Sequence, residues 1–368
     1  MNNINSRKND KTIAFYLSDH GFGHASRNIP IIRYILERNK NIRIIVRTGI
    51  MQSTFIKDSL LGFKDRIDVY CDKMDVGLIL KENSLDIDKD KLHGEVNRYI
   101  STWKERALNE SEFLKNNNVN LVISDIVPWI FEAAKDTNIP SILISNFTWV
   151  DIYKEYFDDS VLNHYINAYM LSHEVLLYNL YIDTMKEYID SYEEIGLCCR
   201  VFNEKLVKKI KENHNRKIVF VSVGRSVNLN EDLNVSKLNY DFIVTEGIKI
   251  IGNNVTYLSK DICNTHDYIK ASDYIITKAG WTTISEILCA GKKCAVLSRD
   301  SVAEDRNTID KLKSMNMAIE VKYEENFNIS EIINDLEKIN HENSKHKFIN
   351  NYKDISRKIL SYIEGDVK

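Results

Sequence analysis

The sequence predicts an α/β protein made of two doubly wound, Rossmann-like halves with parallel sheets. Short, nearly continuous apolar runs alternate with amphipathic stretches, as strands covered on both faces by helices require. The alternation lapses after about residue 150 and restarts at IVFVSVG (218–224), just beyond a charged stretch, NEKLVKKIKENHNRK (203–217). A chain of 368 residues has the length of about two domains. The expected division is 1–200, 201–345 and a last helix over 346–368 that packs back on the first domain. With 3 Pro and 13 Gly, collagen-like and turn-rich all-β architectures are excluded.

Taken in order, TIAFYLS (12–18) reads as a strand, followed by a Gly-rich turn and a helix from Ala25 to Glu37. IRIIVRT (42–48) is the next strand, and the charged segment 88–116 reads as one long helix. NLVISD (120–125), the helix FEAAKDTN (131–138) and SILISN (141–146) continue a βαβ rhythm with right-handed crossovers. Residues 151–195 read as helical and tyrosine-rich; their tyrosines suit either packing with exposed phenol tips or a substrate wall. In the second half, 218–224, 240–247, 254–259, a run from Ala271 ended by Gly280, and 295–298 read as strand regions. Helices are expected over 282–290, 305–315, 330–340 and 344–364. In such sheets ligands bind outside the carboxyl ends of the strands, which places a cleft between the two halves.

Charge and composition narrow the function. Lys+Arg number 50 against 53 Asp+Glu, a net charge of −3, which argues against a dedicated nucleic-acid binder. No apolar run reaches the length of a membrane span, and MNNINSRKNDK lacks the apolar stretch of a secretion signal, so a cytoplasmic location is expected. Peripheral membrane contact stays open. Cys71, Cys198, Cys199, Cys263, Cys289 and Cys294 form no C-x-x-C pair and read as reduced thiols.

Two loops carry chemistry. After the first strand comes Ser18-Asp19-His20-Gly21-Phe22-Gly23-His24-Ala25-Ser26-Arg27. Gly21 and Gly23 permit a tight turn and close backbone approach, and the helix that follows offers N–H groups to an anion. The dinucleotide pattern G-x-G-x-x-G is not met. His20 and His24 can each take a proton from an alcohol near neutral pH. Asp125, at a strand's carboxyl end, reads either as a histidine partner or as a loop cap. In the second half a strand ends at Gly280 and a helix opens with Thr282 and Thr283, so its N–H groups and dipole suit a diphosphate. Glu286 follows one turn later. The acidic run Asp86-Ile87-Asp88-Lys89-Asp90 imitates a metal-binding D-x-D, but no convincing metal set is present.

These stretches resemble glycosyltransferases of the GT-B fold, of the family-28 type that includes the GlcNAc transferase of lipid II synthesis. GFGHASRNIPIIRYIL and LVISDIVPWIFEAAKDTNIPSILISNFTWVDIYKEY (121–156) are most similar to the glycosyltransferase-like N-terminal region of plant L-arabinokinases. No Gly/Ser-rich phosphate loop of the small-molecule kinase type is found, so arabinose phosphorylation is not implied. Ser272-Asp273-Tyr274-Ile275-Ile276-Thr277-Lys278-Ala279-Gly280-Trp281-Thr282-Thr283-Ile284-Ser285-Glu286 resembles the family's donor-nucleotide motif. The resemblance implies a nucleotide-sugar substrate, UDP foremost, with no cofactor and no metal. It gives His24 as base, Asp125 as its partner and His20 as the competing base. Gly23, Gly224, Arg225, Ser226, Gly280, Thr282, Thr283, Glu286, Glu304 and Asp305 become donor-side residues, Glu286 facing the ribose hydroxyls. Asp305 replaces a common glutamine and Arg225 a common glycine.

The leading expectation is therefore sugar transfer to an acceptor hydroxyl. Its rivals are a nucleotide-sugar hydrolase of the pseudaminic acid pathway type, which would use water, and a catalytically inert sugar-nucleotide binding module, which would release no nucleotide diphosphate. The extra segment 151–195 favours transfer.

Overall fold

The computed structural model describes residues 11–81, 87–223, 229–259, 262–299, 302–322, 328–340 and 347–365. The chain forms two compact units, Met1–Gly196 with Asn351–Lys368, and Leu197–Asn350. In the first, the strands are β1 (Lys11–Leu17), β2 (Ile42–Thr48), β3 (Ile67–Cys71), β4 (Val119–Asp125), β5 (Ser141–Ser145), β6 (Glu174–Leu177) and β7 (Glu193–Glu194). The helices are α1 (Gly23–Arg38), α2 (Ile50–Ser59), α3 (Lys89–Ser101), α4 (Trp103–Asn116), α5 (Ile130–Thr137), α6 (Trp149–Tyr153) and α7 (Asp159–Tyr169). The strands run parallel in the order β3-β2-β1-β4-β5-β6-β7.

The second unit contains α8 (Glu204–Glu212), β8 (Ile218–Ser222), β9 (Leu229–Asn234), β10 (Asp241–Val244), β11 (Ile248–Ile251), β12 (Val255–Tyr257), α9 (Thr265–Ala271) and β13 (Tyr274–Lys278). It continues through α10 (Trp281–Cys289), β14 (Cys294–Leu297), α11 (Ala303–Ser314), β15 (Ala318–Val321) and α12 (Ile329–Asn340). Its main sheet is parallel, β12-β10-β8-β13-β14-β15, beside a separate β11-β9 pair. The last helix, α13 (Tyr352–Glu364), belongs to the first unit: Ser356 donates to the Ile31 carbonyl at 3.3 Å and Tyr352 meets Tyr34 edge-on.

Each main sheet reverses its strand order once, at β1/β4 and at β8/β13, which is where a doubly wound sheet opens a crevice at its carboxyl edge. The register sets Leu17 beside Asp125, so the loop after β1 and the end of β4 emerge together. The apolar runs explain the strands: β1 is buried from Thr12 to Leu17 and β5 throughout.

The structure corrects three expectations. Residues 151–195 are not a helical block, because the apolar run Glu174–Leu177 pairs with β5 and extends the sheet. The long helix over 88–116 is two helices that meet at Thr102. Half of the tyrosines of 151–195 show no exposed tip: Tyr153, Tyr165, Tyr169 and Tyr178 are fully buried. β9, β11 and β15 are short strands that the apolar pattern did not announce.

Candidate active site

The loop after β1 is built to present a histidine. Gly21 has φ of +84°, a left-handed conformation that costs glycine little. The side chain of Gln52 donates to the carbonyls of Asp19 and Gly21, at 2.8 and 2.9 Å, and pins the loop. α1 then begins at Gly23, with no side-chain cap and no acid in its first turn. His24 is buried in that turn, its ring against Phe147. Its Nδ1 lies 2.9 Å from Asp125 Oδ1. Among the described residues its Nε2 has no hydrogen-bond partner. His20 stands apart: its ring is exposed and lies edge-on to Trp149, over Gly77.

Asp125 is wholly buried and receives more donors than His24 alone. Arg27 gives Nε to Oδ2 at 2.7 Å and Nη2 to Oδ1, and Asn28 gives Nδ2 to Oδ2 at 2.6 Å. Arg27 is itself buried, its Nη1 on Asn146 Oδ1 at 2.6 Å and its guanidinium over the Tyr178 ring. Burial pushes the Asp125 carboxyl up, but the charge of Arg27, then that of His24, and their hydrogen bonds overcome it and hold the group at about 2. The next residue, Ile126, has φ of +63°, which costs a β-branched side chain roughly 1–3 kcal/mol. Tyr169 donates to the Ile126 carbonyl at 2.7 Å and helps to hold this strained turn.

Sequence reasoning did not single out Arg27, Asn28 and Asn146 as site residues. The signal was there: His24, Arg27 and Asn28 stand at i, i+3 and i+4, one face of a helix. It also missed Asp75, whose Oδ2 accepts from Trp149 Nε1 at 3.1 Å and whose backbone N–H reaches Asp19 Oδ1 at 3.3 Å. Burial, then the facing Asp19, push the Asp75 carboxyl well above the usual range.

In the second unit β13 ends ahead of Gly280 and α10 starts at Trp281. No N-cap side-chain hydrogen bond closes this helix and no acid of its own sits in its first turn, the pattern of a helix end that favours an anion. Thr282 and Thr283 lie in that turn. Glu286, one turn on, is buried and its Oε1 accepts from Arg200 Nε at 2.8 Å. Arg200 Nη2 also donates to Thr265 at 3.1 Å. A ribose hydroxyl would have to share this carboxylate with Arg200. Asp305 is more fully committed: Arg299 donates Nε to Oδ2 at 2.6 Å and Nη2 to Oδ1 at 2.9 Å. Glu304 precedes it in the first turn of α11. Burial, then the charge of Arg200, keep His266 neutral, at about 3, with Nε2 on the Val201 carbonyl at 3.2 Å.

Gly224, Arg225, Ser226 and Asp86 lie outside the described residues. Asp88 caps α3 by accepting from the Lys91 N–H at 3.1 Å. Among the described residues no group of three or more His, Cys, Asp or Glu could hold a metal ion. No described helix is long and apolar enough to cross a membrane.

The whole architecture can be set beside known structures. UGT89C1 of Arabidopsis thaliana, complexed with UDP-L-rhamnose, superposes with a TM-score of 0.63 at 13% identity, over 97% of this chain and 96% of that one. The chain has the GT-B fold. The glycosyltransferase SnogD of Streptomyces nogalater gives a TM-score of 0.61 at 10% identity over 96% and 99% of the two chains. MurG of Acinetobacter baumannii gives 0.55 at 11%, over 95% and 99%. Within this GT-B chain, residues 199–359 match the glycosyltransferase family 28 C-terminal domain. The L-arabinokinase of Arabidopsis thaliana is 24% identical over 316 residues, 79% of this chain, and this chain spans 28% of that protein's length.

Proposed function

We propose that this protein transfers a sugar from a nucleotide-diphosphate sugar, UDP-linked, to an acceptor hydroxyl, with His24 as general base. The observation that carries the reading is the buried His24–Asp125 pair at the carboxyl edge of a doubly wound sheet, in a chain whose second unit matches a family-28 domain. The complex of UGT89C1 with UDP-L-rhamnose supports the choice of donor.

In the reaction the acceptor oxygen bonds to the sugar's anomeric carbon as the bond from that carbon to the diphosphate breaks. The acceptor's proton passes to His24 Nε2, and Asp125 stabilises the imidazolium that forms. The nucleoside diphosphate leaves with an added negative charge. The first-turn N–H groups of α10, with Thr282 and Thr283, meet that charge, the kind of preoriented stabilisation that is commonly the largest catalytic contribution. Gly23 and Gly280 keep side chains out of the way, and Glu286 and Glu304 serve the ribose and sugar. The nucleotide sugar is a substrate, and no cofactor or metal takes part.

The test is turnover of a UDP-sugar panel with and without candidate acceptors, on wild type, His24→Ala and His20→Ala. Expected is acceptor-dependent UDP release that falls on the order of 10²–10⁴-fold in His24→Ala, with UDP affinity retained. Release at the same rate with no acceptor present identifies a hydrolase, and UDP-sugar binding with no release identifies an inert binding module. Full turnover in His24→Ala with loss in His20→Ala moves the base to His20.

A further inference from the structure

An ionised carboxylate only accepts hydrogen bonds. Asp125 is such an acceptor, so its 2.9 Å contact with His24 Nδ1 requires the hydrogen to sit on Nδ1. That leaves the Nε2 lone pair for the acceptor's proton. The tautomer therefore depends on what keeps a wholly buried carboxyl ionised. A buried carboxyl without a cation takes up a proton and becomes a donor. It could then donate to Nδ1, the imidazole proton would move to Nε2, and the base would be blocked.

Arg27 is the group that prevents this. Its Nε and Nη2 take one Asp125 oxygen each, while Nη1 is tied to Asn146 Oδ1 at 2.6 Å. Nη2 also lies 3.1 Å from His24 Nδ1 and 3.5 Å from Ser145 Oγ. Nη2 has two hydrogens for these neighbours. With the His24 hydrogen on Nδ1 they go to Asp125 and Ser145, and Nη2 and Nδ1 are two donors sharing one carboxylate oxygen, whereas a ring protonated on Nε2 would accept from Nη2 instead. Asn28 completes the shell from Oδ2.

We propose that Arg27 is a positioning residue for the transfer step: its guanidinium fork clamps Asp125 as an acceptor and thereby fixes His24 as the Nδ1–H tautomer, with Nε2 poised as the base. This rests on the assignment of His24 as base. A lysine could supply the charge but not the planar fork that spans both oxygens and Asn146.

The experiment reads the tautomer of His24 in the resting protein, from the nitrogen-15 shifts of its ring, alongside kcat and donor KM. In wild type the neutral ring shows Nδ1–H. In Arg27→Met the Nε2–H form gains a large share, and kcat falls by about 10²-fold or more while donor KM stays within about twofold. Arg27→Lys gives a mixed ring and a partial loss. An unchanged tautomer and kcat in Arg27→Met overturn the proposal. Should Arg27→Met fail to fold, Arg27→Lys decides: a wild-type ring and rate overturn the fork, and a mixed ring supports it. Because the tautomer is read without turnover, its failure is distinct from that of the transfer reading, which shows as full turnover in His24→Ala.

Discussion

Four nitrogens from one turn of α1 converge on the Asp125 carboxylate, and the convergence has a stability consequence that can be measured. The folded carboxyl titrates at about 2, below the unfolded value of about 3.9. A depressed carboxyl contributes stability above its unfolded pKa and loses it as pH falls through the folded one. The contribution is roughly 2–3 kcal/mol at neutral pH. Asp125→Asn forfeits it and leaves the buried Arg27 charge unpaired, which costs about 3–5 kcal/mol more. Burial raises the carboxyls of Asp75, Glu110 and Asp151, which respond to acid in the opposite sense, so total stability is a poor readout. The difference between wild type and Asp125→Asn is a clean one. It should be largest above pH 4 and close between pH 4 and 2. Denaturant unfolding followed by tryptophan fluorescence checks this, since Trp103, Trp129 and Trp149 all belong to the first unit. A gap that does not depend on pH would show that Asp125 is not held ionised by its neighbours.

At the scale of an element, the segment after β3 shows how buried aromatics serve a loop. Trp129 Nε1 and the Tyr99 hydroxyl donate to the Met74 carbonyl, and the Tyr153 hydroxyl donates to that of Val76. Trp149 holds the Asp75 side chain. These anchors present Gly77 to the His20 ring, and a Cβ on Gly77 would overlap that ring. His20 is exposed and can swing aside, so Gly77→Ala should fold with a stability change of about 1 kcal/mol or less. It should shift the His20 ring resonances and leave turnover near wild type. A loss of about 10²-fold or more in a folded Gly77→Ala would point to His20 as the base, since a general base is worth that much.

At the scale of the whole molecule, the two units have separate tasks in the proposed reaction. UDP should bind residues of the second unit, so its amides over Trp281–Cys289 should gain hydrogen-exchange protection while those around His24 change less. A ligand that binds only the folded form stabilises it by roughly 2.7 kcal/mol at a hundredfold excess over Kd. His24→Ala should keep that stabilisation. Turnover should also survive EDTA, because in the proposed reaction the α10 N-terminus takes the place of a metal at the leaving diphosphate. Activity lost in EDTA and restored by a divalent cation would overturn that part of the mechanism.

The sequence by itself determined the βα alternation, both doubly wound halves and the loops that bear His24 and Gly280, because strand burial and helix amphipathy are periodic properties of the chain. Ile42–Thr48 was legible residue for residue as a strand. It also offered His24 and Asp125 as a pair, through the resemblance and the placement of both at strand ends. Only the tertiary structure decided what surrounds them. Arg27 reads along the chain as one more helix cation, until the β1/β4 register brings Asp125 over the same face of α1 from 98 residues away. The tyrosines of 151–195 suit either packing with exposed tips or a substrate wall, and the fold instead encloses Tyr153, Tyr165, Tyr169 and Tyr178 completely. Glu286 and Asp305 read as free ligands, until Arg200 and Arg299 closed on them. Side-chain pairing across long sequence separations is set by sheet order and register, which a local hydrophobic pattern constrains only to the face and never to the partner.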